Sequence, residues 1–229
     1  MKKGIWQEFD GYSEIVADIE ASRKTGEKFT AEKFSPDQFI NLLHPDRLRL
    51  QVEEIIDETI STRTFRLVSK KGDLPPFQAG QYISLFLEIG GIRTSRPYSI
   101  SSPPHSRDTY DITVRRVENG LVSNYLLDDL AVGNDLVSSG PAGHFYFNPL
   151  IHSKDMICFA GGSGITPFMS MIREIVECGL DRSLTLFYGN KNTDDMIFHE
   201  ALDRIADRFA NITYIPVIEE PGHDYDGAC

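Results

Sequence analysis

Met156-Ile157-Cys158-Phe159-Ala160-Gly161-Gly162-Ser163-Gly164-Ile165-Thr166-Pro167 joins a continuous apolar run to a glycine loop and then to a helical pattern. The run is short enough for a strand and apolar enough to be buried on both faces, as strands of a parallel sheet are. Beyond the glycines, Ile165, Phe168, Met169, Ile172 and Ile175 keep helical spacing, with Thr166 able to cap and Pro167 suited to the first turn. A strand, a glycine turn and a helix start in that order bring backbone N–H groups and a positive dipole end to one point, where a phosphate binds. The same turn also serves as a plain strand-to-helix connection. It lacks the lysine of a P-loop and is not the Gly-x-Gly-x-x-Gly fingerprint, which disfavours an ATPase.

Downstream the alternation continues with a strand from Ser183 to Tyr188, a helix from Met196 to Phe209 and a strand from Ile212 to Val217. Right-handed crossovers make this βαβαβ run part of a doubly wound parallel sheet. About three strands fit before Cys229, fewer than such a domain usually has, so this domain is expected to be incomplete and Cys229 not to be a natural terminus.

Upstream, from Arg49, the texture is that of a small antiparallel barrel: short β-rich runs between turn signals. Six strands are expected, at Leu50 to Ile56, Thr62 to Val68, Tyr82 to Glu88, Thr94 to Ile100, Tyr110 to Val117 and Asp135 to Ser139. A short helix from Leu121 to Leu130 interrupts them, with Leu126, Leu127 and Leu130 as its apolar stripe. Residues 1–47 are polar and poorly periodic, with one helix start at Ser35-Pro36. They read as an N-terminal extension that packs on the body or on a partner, or as a tail. The expected organisation is therefore an extension (1–47), a β domain (48–149) and an α/β domain (150–229).

Composition narrows the function. The chain has 229 residues, 41% of them hydrophobic, and a net charge of -11. That charge argues against nucleic acid and against an anionic membrane surface. No apolar run approaches a membrane span, and the start shows no signal-peptide core, so a cytoplasmic protein is expected. Cys158, Cys178 and Cys229 are widely spaced and odd in number, and His105, His144, His152, His199 and His223 are scattered singly. Neither set has ligand spacing, so no metal site is expected and any iron-sulfur cluster must lie outside this chain.

Two further stretches carry chemistry. Arg96-Pro97-Tyr98-Ser99 ends a strand-like run and offers a fixed cation, a flat aromatic and a hydroxyl, which suit a planar anionic ligand such as a flavin nucleotide. Alone, it reads equally as a strand end with a surface arginine. Gly120-Leu121-Val122-Ser123 opens the short helix, so its N–H groups and the Ser123 hydroxyl suit a second phosphate, or simply cap the helix.

These stretches, with Ser139-Gly140-Pro141-Ala142-Gly143-His144-Phe145 and Tyr188-Gly189-Asn190, occur in an order that resembles the motif series of the ferredoxin-NADP reductase superfamily, over about residues 48–229. The nearest texture is that of bacterial oxygenase reductases and similar electron-transfer flavoproteins. The resemblance implies a six-stranded antiparallel FAD-binding barrel followed by an NAD(P)-binding domain, hence an FAD-dependent NAD(P)H oxidoreductase. It implies that Arg96 holds the flavin phosphates with Pro97 beside it, and that Tyr98 and Ser99 lie at the reacting ring, as the catalytic pair. Thr113, Val114 and Arg115 are implied beside the adenylate, and Gly120, Leu121, Val122 and Ser123 at the pyrophosphate, which favours FAD over FMN. Gly161, Gly162, Gly164, Ile165, Thr166 and Pro167 are implied at the NAD pyrophosphate, with Tyr188 and Gly189 nearby.

Where relatives that use NADP place Ser and Arg, this chain has Ile218-Glu219-Glu220. A carboxylate there repels a 2'-phosphate and accepts from ribose hydroxyls, so Glu219 predicts NADH as substrate, unless Lys191 decides instead. A later Cys-Gly stretch implied by the resemblance is not found before Cys229. The expected partners are a nicotinamide nucleotide and a redox partner protein or ferredoxin domain, with an iron-sulfur centre or oxygenase receiving the electrons. Two other readings fit the same residues: an electron-transfer subunit of a larger complex, and a flavin-binding interaction module without its own NADH activity.

Overall fold

The computed structural model describes residues 47–220. The helix start at Ser35-Pro36, His223 and Cys229 lie outside the described residues. Two sheets carry the described chain. The first is antiparallel and six-stranded, with β1 (Leu48–Thr59), β2 (Thr62–Ser69), β3 (Tyr82–Ile89), β4 (Ile92–Ser99), β5 (Thr109–Arg115) and β6 (Asp135–Ser138) in the order β4-β3-β6-β1-β2-β5. All six expected strands are present, and α1 (Leu121–Asp128) interrupts them as expected, with Leu126, Leu127 and Leu130 buried.

Alternation drives the assembly. Along β1 and β2, Leu50, Val52, Phe65 and Leu67 are fully buried, and on β3 Ile83 and Leu85 join them. Irregular register in β1 between Val52 and Glu54 and between Asp57 and Thr59 bends the strand. The sheet curls until its two edges meet: Ile100, just past β4, bridges Ile112 of β5, and the Ser101 N–H donates to Asp111 O at 2.8 Å. The contact is local to this bridge, and along β4 itself the outer edge stays largely exposed. Closure there sets the end of β4, carrying Arg96 to Ser99, beside the end of β5, carrying Thr113 to Arg115.

The second sheet is parallel, β7 (Asp155–Gly161), β8 (Ser183–Asn190) and β9 (Ile212–Ile218), in the order β7-β8-β9, with α2 (Thr166–Glu177) and α3 (His199–Arg208) as crossovers. Three expectations are corrected here. The run from Met156 to Ala160 is not buried on both faces, since Ile157 and Phe159 are 70% and 73% exposed while Cys158 is buried. Sequential strand order with right-handed crossovers puts both helices on one face, where they pack on Cys158, Leu184 and Leu186. Helix α3 begins at His199 rather than Met196, because Phe198 adopts a left-handed conformation (φ +62°) that an α-helix does not contain. Thr166 does not cap α2 either. The chain is already helical from Gly162 to Ile165, a 3-10 turn, and the Thr166 hydroxyl donates back to Ser163 O.

Helix α2 runs along the closure segment of the antiparallel sheet. The fully buried Ser170 hydroxyl donates to Ser102 O at 2.7 Å, and Arg173 donates to Ser101 O at 3.0 Å. Ser170→Ala strips a buried carbonyl of its donor and is expected to lower stability by about 1–2 kcal/mol, read as a shift of the urea midpoint. A change below about 0.5 kcal/mol would show that this bond does not hold the two sheets together.

Candidate functional site

Barrel closure gathers most of the expected flavin residues around one cavity of about 460 Å³, lined by Arg96, Pro97, Tyr98, Ser99, Thr113, Arg115 and the run from Gly120 to Ser123. Because β4 is an edge strand, side chains from both of its faces reach this cavity, although Arg96 and Tyr98 alternate with Pro97 and Ser99. Ser163 and Thr166 of the glycine loop complete the lining, so residues from both sheets share one cleft.

The donor set suits a planar ligand with phosphates. The Arg96 guanidinium bonds only to Thr94 Oγ1 at 3.0 Å and to Ser95 O at 2.7 Å, and no carboxylate neutralises it among the described residues. Tyr98 is half-buried, and burial pushes its phenol up to about 12, so the ring stays neutral. Gly120 precedes α1 in extended conformation without a side-chain cap, which leaves the first N–H groups of the helix uncommitted. A Cβ at Gly120 would meet Ser123 Oγ at 2.6 Å and Val117 Cβ at 2.9 Å, which accounts for glycine there. Ser123 Oγ accepts from the Val117 N–H at 3.1 Å and keeps its own proton for donation.

Two residues take more distant places. Val114 turns into the barrel core, only 1% exposed, and offers the cavity no side chain. Thr113 lines the cavity but is buried, and its hydroxyl already shares hydrogen bonds with Thr64 at 2.8 Å and Ser101 at 3.4 Å.

A second cavity of about 480 Å³ lies at the carboxyl ends of the parallel strands, where open α/β sheets bind ligands, between Gly162, Gly189, Asn190, Lys191, Glu219 and Arg115. Gly161 pairs with Gly189 across the ends of β7 and β8. Gly162 follows at φ +49°, and a Cβ there would meet Arg115 Nη1 at 2.9 Å. Gly164 stands in open surroundings, Pro167 sits in the first turn of α2, and Ile165 is fully buried beneath the loop. Tyr188 is also fully buried, so its ring meets no ligand. Its hydroxyl donates to Gly162 O at 2.9 Å and accepts from the Ile197 N–H at 3.2 Å, which fixes the loop from below.

Two features escaped the sequence reading, the place of Arg115 at both cavities and the Asn190 amide. Arg115 lines both cavities, and its Nη2 is held at 2.9 Å by Asp195, which Ser61 also contacts at 3.1 Å. The Asn190 amide is 8% exposed and neither of its polar atoms makes a well-formed hydrogen bond among the described residues, although it lies close enough to the Tyr188 hydroxyl to influence it, and that hydroxyl already bonds to Gly162 O and the Ile197 N–H. Such an amide suits an arriving ligand. Its signal was the Tyr188-Gly189-Asn190 motif itself. Lys191 pairs with Glu220 at 3.5 Å, while Glu219 lines the cavity and donates its N–H to Asn190 O at 3.0 Å.

Comparison with known proteins agrees with this anatomy. Residues 47–147 match the family model of the oxidoreductase FAD-binding domain, and residues 156–228 that of the oxidoreductase NAD-binding domain. The chain is 35% identical over 170 residues to the glycine betaine monooxygenase reductase subunit of Pseudomonas aeruginosa, covering 74% of this chain and 46% of that one. It is 36% identical over 149 residues to DmpP, the reductase component of phenol 2-monooxygenase from Pseudomonas sp. (strain CF600), covering 65% and 41%. The solved structure of phthalate dioxygenase reductase, described as modular for electron transfer from pyridine nucleotides to [2Fe-2S], aligns with a TM-score of 0.66 at 28% identity, covering 79% of this chain and 55% of that one. The chain spans about half the length of the curated relatives it matches. Among the described residues, no helix is long and apolar enough to cross a membrane. With its FAD-binding model followed directly by its NAD-binding model on a closed antiparallel sheet and a parallel one, the chain belongs to the ferredoxin-NADP reductase family of oxidoreductases.

Proposed function

We propose that this chain accepts electrons from NADH on FAD and delivers them to an iron-sulfur or oxygenase partner. The observation that carries the reading is the shared cleft: Arg96, Tyr98 and Ser99 from the antiparallel sheet and Ser163 and Thr166 from the glycine loop line one cavity. Relatives named as reductase components of monooxygenases support the direction of flow and the type of partner. The division of labour follows, with the flavin domain ending near residue 149 and the nucleotide domain beginning near 150.

FAD, when bound, would supply the conversion of a two-electron hydride into single electrons. The protein's part is placement. Arg96 and the N–H groups after Gly120 would hold the flavin phosphates, with Tyr98 against the ring and the Ser99 hydroxyl at its edge. Gly162 to Thr166 would receive the pyrophosphate of NADH on N–H groups that the 3-10 turn leaves uncapped. Asn190 would satisfy its amide on the same nucleotide. Glu219 would accept from the adenosine ribose, and with Lys191 drawn to Glu220 and Arg115 to Asp195 no unpaired cation lines this cavity among the described residues to receive a 2'-phosphate.

An anaerobic titration of the yellow protein tests this. NADH should bleach the flavin band, and NADPH should be at least about tenfold less efficient, since one like-charge contact costs about 1.4 kcal/mol or more. Equal efficiency would overturn the NADH preference. A flavin that binds but is not bleached by either nucleotide would overturn the reductase reading.

A further inference from the structure

We propose that His105, Glu174 and Cys178 form a divalent-metal site of zinc type that ties the antiparallel sheet to helix α2, with Glu177 orienting the imidazole. His105 stands in the loop between β4 and β5, whereas Glu174, Glu177 and Cys178 follow at i, i+3 and i+4 on one face at the end of α2. The fold brings them together across 69 to 73 positions of sequence.

The ligand atoms are already clustered. One atom each from His105, Glu174 and Cys178 lies within 4.8 Å of the others. The His105 Nδ1 atom is 2.8 Å from Glu174 Oε2 and 3.3 Å from Cys178 Sγ. Ligands around tetrahedral zinc stand about 3.3–3.8 Å apart, given metal bonds of about 2.0–2.3 Å, so the imidazole and carboxylate need to part by roughly half an ångström, and the carboxylate and thiol, within 4.8 Å of each other, to close by at most about 1 Å. On the far side of the ring, His105 Nε2 is 3.1 Å from Glu177 Oε2. An imidazole that binds metal through one nitrogen and donates from the other to a carboxylate is the usual zinc arrangement.

The donors select the metal. One imidazole, one thiol and one carboxylate are the three ligand types of zinc, whereas magnesium and calcium take oxygen. His105 is 39% and Glu177 46% exposed, so an ion can enter and keep a water as fourth ligand. Without metal, burial and the two carboxylates hold the Cys178 thiol up and protonated. Metal entry replaces the thiol proton and relieves the crowding of negative charge. The ion would add a further tie to the Ser170–Ser102 and Arg173–Ser101 bonds, on the segment that begins directly after Tyr98-Ser99.

The test is a Co²⁺ titration of the full chain, followed by difference absorption. One equivalent should produce a near-ultraviolet thiolate-to-cobalt band, and Zn²⁺ should displace it and raise the thermal midpoint. Cys178→Ser should abolish the band and Cys229→Ser leave it. Glu177→Ala, at an exposed position, should keep the band with affinity lowered about tenfold. His105→Gln should weaken binding by at least as much. No thiolate band at large metal excess in the wild-type chain would overturn the proposal and leave only ion pairs at this corner. A band that survives Cys178→Ser, or that Cys229→Ser removes, would overturn it equally.

Discussion

Arg96→Leu is expected to release FAD, with affinity falling roughly a hundredfold while the apoprotein keeps its fold. Hydrogen bonds to charged groups contribute about 1.5–3 kcal/mol, and a guanidinium that grips phosphate through two N–H groups loses both at once. The side chain gives little to folding, because it is exposed and its bonds among the described residues reach Thr94 and Ser95, its own neighbours. Surface substitutions of this kind change stability by about 0.5 kcal/mol or less. Flavin content after gel filtration and fluorescence titration of the apoprotein with FAD read the effect. Retention of flavin at the wild-type level would show that Arg96 does not face the phosphates. A lowered urea midpoint without change in FAD affinity would make it a structural residue.

Gly162→Val should separate nucleotide binding from flavin binding. Gly162 has φ +49°, a left-handed conformation that costs an L-residue about 1–2 kcal/mol and a β-branched one more. Its Cβ would stand 2.9 Å from Arg115 Nη1 and push that side chain against its Asp195 anchor. Both changes fall at the turn proposed to take the NADH pyrophosphate. The apparent affinity for NADH in flavin bleaching is expected to weaken by about a hundredfold, with the visible flavin spectrum intact. Weakened flavin binding with unchanged NADH response would reverse the assignment of the two cavities. Gly162→Ala, which has the strain but a smaller side chain, should fall between the two.

Much of the fold was legible because each element speaks through its own period. Alternation marked six strands to within a few residues, and the apolar run before Gly161 announced the parallel sheet. Leu126, Leu127 and Leu130 marked the short helix behind Gly120. The misreadings arose where a local pattern has two solutions. Met196 and Ile197 are buried and apolar like helix residues, yet they pack in the turn before α3, and the left-handed Phe198 had no local signal. Ile157 and Phe159 have the composition of buried strand residues, but which faces of a strand are covered depends on where the crossovers pass, not on the strand.

The sequence by itself determined the order of the domains and the turn chemistry: glycines before helix starts, an arginine and a tyrosine at a strand end, and carboxylates after the last parallel strand. These are local properties, fixed by backbone freedom and side-chain type within a few residues. Tertiary structure decided everything that depends on distance through space. Barrel closure placed β4 beside β5, the packing of α2 carried the glycine loop into the same cavity, and Arg115 came to border both cavities. His105, Glu174 and Cys178 met for the same reason. Glu174 and Cys178 share a helix face through their i, i+4 spacing, but no period or motif links them to His105, so only the docking of α2 against the loop after β4 could bring the three donor atoms within reach of one ion.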